Sequence, residues 1–263
     1  MNSKIAERFI LGKVIAQKEW RLGLNSLYVD AAIEPFVAGQ FTQLALDEDC
    51  HVLRPYSFVN PPSESPFEFY YSLVPGGYFS SRLVKLKPHD PIYIAKRPSG
   101  RFVLSSVPDA TILWLFATGT GFGVFLSILQ TQQPWLRFQK IVLVHSVQNT
   151  LSLTHQHLVQ LWQHQYPERF YWMPVVTGEN LSDGQRGAVS KRITHLLASG
   201  ELENQTGLSL SAQTSQTMLC GNPAMIHDLS ELLKLRGLLV NHVKQPGQIT
   251  IENYWKLDNK NNA

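Results

Sequence analysis

The residues best suited to chemistry lie together at positions 54–60, Arg-Pro-Tyr-Ser-Phe-Val-Asn. In an extended strand, residues two apart share a face, so Arg54 and Tyr56 can address one ligand. A guanidinium suits a phosphate, a phenol ring suits a flat heterocycle, and the Ser57 hydroxyl can bond to that heterocycle's polar edge. Phosphate, ring and edge together describe a flavin nucleotide. A salt-bridged arginine beside a half-buried strand tyrosine fits the same residues, so the motif decides nothing alone.

Other stretches carry chemistry of a related kind. Thr118-Gly119-Thr120-Gly121-Phe122-Gly123 follows an apolar run and precedes a helical one. Glycines there let the backbone approach a pyrophosphate, with helix N–H groups as donors. Any tight strand-to-helix turn also favours glycine, so this signal is weak by itself. Cys220-Gly221-Asn222-Pro223 closes a later strand with a good N-cap at Asn222 and proline at the first helical position. Cys220 is either a buried strand-end cysteine or a small polarizable thiol at a sheet's ligand-binding edge. Downstream of Phe67–Leu73, Ser80 lies where a short helix presents N–H groups to a second phosphate. Glu252, Tyr254 and Trp255 sit near the C-terminus, where the aromatics are either core anchors or covers for a flat ring.

Composition sets the frame. The chain has 263 residues, a formal net charge of +3, 44% hydrophobic and 16% charged residues. The charge is spread evenly, which gives no footprint for nucleic acid. The longest apolar run, 112–117, is too short to span a bilayer, and the first eleven residues hold no apolar signal core. The expectation is a cytoplasmic monomer with no membrane role. Two cysteines, at no metal or redox spacing, exclude a four-cysteine iron–sulfur cluster. His155, His157 and His164 read as a solvated helix face, and no metal site is expected.

The elements that must position these residues fall into two patterns. Residues 1–106 read as an antiparallel β-barrel, with strands at 9–17, 26–31, 40–46, 54–59, 67–73, 91–95 and 101–104 and a helix at 80–86. Residues 107–263 alternate strand and helix, the mark of a parallel sheet. Strands are expected at 111–117, 141–144, 170–176 and 217–220. Helices are expected after the glycine loop to about 132, and at 153–166, 190–199 and 223–236. The expected fold is thus a β-barrel plus α/β, with a boundary at 106.

Taken in order, Arg-x-Tyr-Ser, Phe-Tyr-x-x-x-Val-Pro-x-Gly, Ala-Thr-Gly-Thr, Cys-Gly-Asn-Pro and a terminal Glu-x-Tyr-Trp resemble the bacterial ferredoxin/flavodoxin–NADP reductases, the short class of the plant-type superfamily. That resemblance implies an FAD-binding barrel followed by an NADP-binding α/β domain. It implies that Arg54 pairs with FAD phosphate, Tyr56 stacks on the isoalloxazine and Ser57 lies near flavin N5. Tyr70 and Ser80 hold the adenine and pyrophosphate side, and Thr120 contacts phosphate. Tyr254 covers the flavin where nicotinamide enters, and Trp255 lies towards the adenine. Thr118, Gly119, Gly121, Arg192, Cys220 and Gly221 take NADP, with Cys220 by the nicotinamide and Glu252 close by. The implied catalytic set is Tyr56, Ser57, Cys220, Glu252 and Tyr254, acting through orientation and electrostatics. The implied reaction passes hydride from NADPH to flavin and then single electrons, reversibly, to ferredoxin or flavodoxin.

The sequence departs from the family at three places. Gln148 and Gly178 stand where it usually places arginines on the NADP phosphate, leaving Arg192, with Arg186 and Lys191 as substitutes. Val124 replaces a proline, and a polar tail, Lys256–Ala263, follows the terminal aromatics and is expected to be disordered. Two other readings share the fold: an NAD(P)H-dependent flavin reductase or diaphorase with another acceptor, and a non-catalytic flavin-binding subunit. The second has no need of Cys220, Glu252 and Tyr254, all of which are present.

Overall fold

The computed structural model describes residues 7–178 and 189–253. By internal packing the chain forms two compact units: residues up to Leu104 with 123–132, and Ser105–Phe122 with the chain from Gln133 onward.

In the first unit, β1 (Phe9–Arg21), β2 (Leu24–Asp30), β3 (Phe41–Ala45), β4 (Arg54–Ser57), β5 (Phe67–Ser72) and β6 (Pro91–Ala95) form a six-stranded sheet in the order β4-β3-β6-β1-β2-β5. All its pairings are antiparallel. The two edge strands of that order meet through a bridge between Phe58 and Phe69, so the sheet curls into a barrel. Alternate side chains fill it: Val14, Leu27, Leu44, Phe58, Phe69, Ile92 and Ile94 are fully buried. Phe36 stacks on Phe58 with centroids 3.9 Å apart. One helical turn, α1 (Ser80–Leu83), drops Leu83 into the same core.

The expected strand at 101–104 is not one. Phe102, Val103 and Leu104 are buried, but in a bend that runs into a 3-10 turn at Leu104–Ser106. The Phe102 carbonyl presses so close to Gly39 that a Cβ there would lie 2.1 Å from it. Side-chain burial against a neighbouring loop, and not a hydrogen-bond ladder, explains this apolar run.

In the second unit, β7 (Ile112–Thr118) lies at the centre of a five-stranded parallel sheet with β8 (Lys140–Val147), β9 (Phe170–Val176), β10 (Ser215–Gly221) and β11 (Ile249–Asn253), in the order β11-β10-β7-β8-β9. The connecting helices are α2 (Phe122–Leu129), α3 (Gln133–Arg137), α4 (Gln156–Gln165), α5 (Ile193–Ala198), α6 (Glu201–Thr206) and α7 (Pro223–Leu235). Residues 123–132, most of α2, pack with the first unit. There Ser127 Oγ donates to the Asn60 carbonyl at 2.9 Å and Gln130 Nε2 to the Val59 carbonyl at 2.8 Å.

β8 is longer than expected. It continues through buried His145 and Ser146, polar residues that interrupt the apolar run although the strand continues. The sequence also gave no sign of α3, α6 or β11. His155 is not on a solvated face. It precedes α4 in a left-handed conformation (φ 53°), is 3% exposed, and bonds through Nδ1 to Thr154 Oγ1 at 2.9 Å. His157 and His164 are exposed. Among the described residues no helix is long and apolar enough to cross a membrane.

Because Phe58 fills the barrel and carries the bridge to Phe69, Phe58→Ala should lower stability by about 3–5 kcal/mol, read from the urea unfolding midpoint. A loss under about 1 kcal/mol would mean that the bridge does not depend on this ring.

Candidate functional site

In the first unit, β3 sets the register of β4: Arg54 faces Leu44, Tyr56 faces Thr42 and Ser57 faces Phe41. Arg54 is exposed, with Nη1 bonded to the Leu53 carbonyl at 2.8 Å. Tyr56 is half-buried against the rings of Phe79, Tyr71 and Phe69, at 6.0, 6.2 and 6.4 Å between centroids. Burial pushes its hydroxyl up to about 12, with the Arg54 charge pulling the other way. Tyr56 is therefore a neutral phenol at working pH, a stacking surface and not a base.

Gln17 organises this half, and sequence reasoning missed it. Its Oε1 accepts from the Tyr71 hydroxyl at 2.6 Å, and its Nε2 donates to the carbonyls of Leu83 and Leu86 at 2.7 and 2.9 Å. One amide thus fixes both the ring beside Tyr56 and the end of α1. Ser80 is buried, its Oγ accepting from the Val74 N–H at 3.0 Å, so its side chain closes the turn before α1. Tyr70 is 6% exposed. Its Cβ would lie 3.5 Å from a Cβ placed on Gly123.

In the second unit, strand order reverses between β7 and β10, the place where open parallel sheets bind ligands at strand carboxyl ends. The predicted residues converge there. Cys220 sits in register with Ala117 on one side and Glu252 on the other. The turns after β7 and β10 touch backbone to backbone. A Cβ on Gly121 would lie 2.6 Å from the Cys220 carbonyl oxygen, and one on Gly221 (φ 135°) would lie 2.1 Å from Thr118 Oγ1. Thr118 Oγ1 accepts the Asn222 N–H at 2.6 Å, and Asn222 Oδ1 caps α7 by accepting from Ala224 and Met225. Thr120 is half-exposed and Gly119 exposed at the rim.

Cys220 is fully buried. Glu252 has an Oε2 buried without a hydrogen-bond partner among the described residues, and burial pushes the carboxyl up to about 7.

Arg192 is exposed at the N-cap of α5, while Lys191 is paired with Glu201. Gly178 and Gln148 meet at the ends of β9 and β8. The Gly178 N–H donates to the Gln148 carbonyl at 2.8 Å, and a Cβ on Gly178 would lie 2.5 Å from that oxygen. Position 178 has no room for a side chain unless the backbone shifts. Tyr254, Trp255, Arg186 and the tail from 256 lie outside the described residues.

An antiparallel barrel bearing Arg54 and Tyr56, and a parallel sheet with a glycine-lined reversal point, are the two units of a ferredoxin-reductase fold. Residues 115–231 match the oxidoreductase NAD-binding domain family. A solved ferredoxin NADP+ reductase from Neisseria gonorrhoeae, with bound FAD and NADP, is similar at a TM-score of 0.86 and 28% identity, covering 94% of this chain and 99% of its own. The chain is 41% identical over 249 residues to the flavodoxin/ferredoxin–NADP reductase of Shigella flexneri, covering 94% of this chain and 99% of the relative. The Escherichia coli K12 protein of that name matches with the same identity and coverage. The chain belongs to the flavodoxin/ferredoxin–NADP reductase family.

A carboxyl held up to about 7 keeps its proton more tightly when folded than its ordinary value of 4.5 allows. Its penalty is absent below that ordinary value, grows as pH rises from there to the folded-state value, and is fully present above it. Glu252→Gln should therefore leave Tm unchanged below pH about 4 and raise it near pH about 8. Equal Tm values at both would show that Glu252 is solvated.

Proposed function

We propose that the protein is an FAD-dependent oxidoreductase that takes hydride from NADPH and passes electrons singly to ferredoxin or flavodoxin. The observation that carries this reading is the reversal in strand order between β7 and β10, with the glycine turn Gly119–Gly121 at the strand carboxyl ends, where sheets of this kind bind nucleotides. FAD, when bound, supplies two-electron acceptance and one-electron release, which side chains cannot.

The residues fit both nucleotides. On the first unit Arg54 supplies a charge for a phosphate, Tyr56 a neutral ring for a heterocycle and Ser57 a hydroxyl for its edge. Tyr70 and Ser80 are assigned to the adenine and pyrophosphate side through the packing and the turn that they hold, with Thr120 as a phosphate contact. On the second unit Thr118, Gly119, Gly121 and Gly221 form the cradle for NADP, and Arg192 supplies an exposed cation at the N-cap of α5. Cys220 gives the nicotinamide a small, apolar neighbour, and Glu252, ionising near neutrality, holds or releases a proton beside it. Tyr254 and Trp255 complete the assignment as the cover of the flavin and the neighbour of its adenine. Residues 1–106 are the FAD domain and 107–263 the nicotinamide domain of this reading, in a cytoplasmic monomer.

Gln148 is the position from which NADP selection can be raised. Gln148→Arg should increase the NADPH over NADH preference in kcat/KM by about tenfold or more, through a charge-assisted bond to the extra phosphate. Gly178→Arg should lower Tm without that gain, because its Cβ meets the Gln148 carbonyl.

The direct test of the reaction is catalytic reduction of a flavodoxin or a ferredoxin by NADPH with the FAD-loaded protein. Reduction of either at many turnovers per protein supports the reading. Turnover with dyes or free flavin alone, and with neither protein, would replace it by a diaphorase.

A further inference from the structure

His145 makes two contacts with the glycine turn and has been given no part in the site so far. It lies near the end of β8, fully buried, with Nε2 3.0 Å from the Gly119 carbonyl oxygen. A carbonyl only accepts, so Nε2 carries the proton and Nδ1 does not. Its ring also stacks on Phe122, with centroids 4.1 Å apart and planes at 10°. Gly119 opens the turn after β7 with φ 52°, and Phe122 closes it as the first residue of α2. The Gly119 oxygen accepts from the Phe122 N–H as well. One imidazole therefore grips both ends of the four-residue turn.

Several features separate this from ordinary core packing. Nothing lies within 4 Å of a Cβ built on Gly119, so neighbouring side chains do not wedge that residue in its left-handed conformation. Among the described residues Nδ1 has no partner, so the buried ring keeps an unsatisfied acceptor while Nε2 holds the loop. Burial also pulls the imidazole down to about 3, so it stays neutral and Nε2 keeps a single donor role throughout working pH.

We infer that His145 is a positioning residue for the nicotinamide nucleotide: its Nε2–H, donated to the Gly119 carbonyl, and its stack on Phe122 set the peptide planes of Thr118–Gly121 that receive the phosphates. The inference rests on the reading of that turn as the NADP cradle. His145 touches the turn from the side of β8, so it contributes orientation and no chemistry of its own. A fixed carbonyl at Gly119 fixes the next N–H, since the two share one planar peptide.

The test uses the FAD-loaded protein and NADP+ as probe, followed by the flavin difference spectrum. His145→Leu removes the donor and the aromatic stack. His145→Gln keeps an N–H donor near the Nε2 position without the ring. His145→Leu should weaken NADP+ binding about tenfold, raise the KM for NADPH similarly and leave kcat and FAD content within about twofold. His145→Gln should recover most of that loss. Unchanged NADP+ binding in His145→Leu, or equal weakening in both variants, overturns the role of the donor while the NADP reading stands. A wild-type protein that keeps FAD but binds no NADP+ overturns the reading itself.

Should His145→Leu fail to fold, nitrogen-15 NMR of the wild-type imidazoles decides. The Nε2–H tautomer is expected for His145, with its proton shifting when NADP+ is added. An Nδ1–H tautomer, or no shift on saturation with NADP+, overturns the inference.

Discussion

The second unit depends on a contact between two strand ends that leaves no room for a Cβ at Gly121 or Gly221. The turn after β7 lies on the end of β10 so closely that a methyl group at Gly121 would strike the Cys220 carbonyl, and one at Gly221 would strike the Thr118 hydroxyl. The Asn222 N–H bonds to that same hydroxyl, so the start of α7 is fixed to the end of β7 across the reversal in strand order. Strand ends that approach this closely bring peptide groups to the reversal point, and peptide N–H groups suit phosphate. From this contact follow the burial of Cys220, the register that sets Glu252 beside it, and the buried oxygen that lifts the Glu252 carboxyl towards neutrality.

The barrel half solves a different problem, which is to hold a neutral aromatic ring still. Tyr56 has rings on several sides, and the outermost constraint is an amide, Gln17, that ties the Tyr71 hydroxyl to the carbonyls at the end of α1. A half-buried phenol held well above its ordinary value will not ionise, so Tyr56 offers shape and a hydroxyl, and exposed Arg54 supplies charge.

Much of this was legible in the sequence wherever local chemistry decides. Cys220-Gly221-Asn222-Pro223 reads as strand end, tight turn, N-cap and first helical residue, and the side-chain cap is present. The two-part pattern of short strands followed by alternating strand and helix gave the fold class. What failed was burial without regular hydrogen bonding: 102–104 is apolar because a loop covers it, and His155 is buried because it turns the chain into α4 with a left-handed residue. Gln17 and His145 could not be read at all. The partners of Gln17 lie 54, 66 and 69 positions away and that of His145 lies 26 away, and nothing local marks a glutamine in a strand or a histidine in an apolar run as a tether. For Gly178 the departure from the family was visible, but the reason that the position admits no side chain, the Gln148 carbonyl, was not.

The central claim is that the two units make one NADPH-oxidising flavoprotein. The most direct measurement is anaerobic rapid mixing of the FAD-loaded protein with NADPH, and separately with NADH, while following the oxidised-flavin absorbance. Fast loss of that absorbance is expected with NADPH, and slower loss with NADH. A protein that retains FAD but keeps its oxidised spectrum in excess NADPH would contradict it.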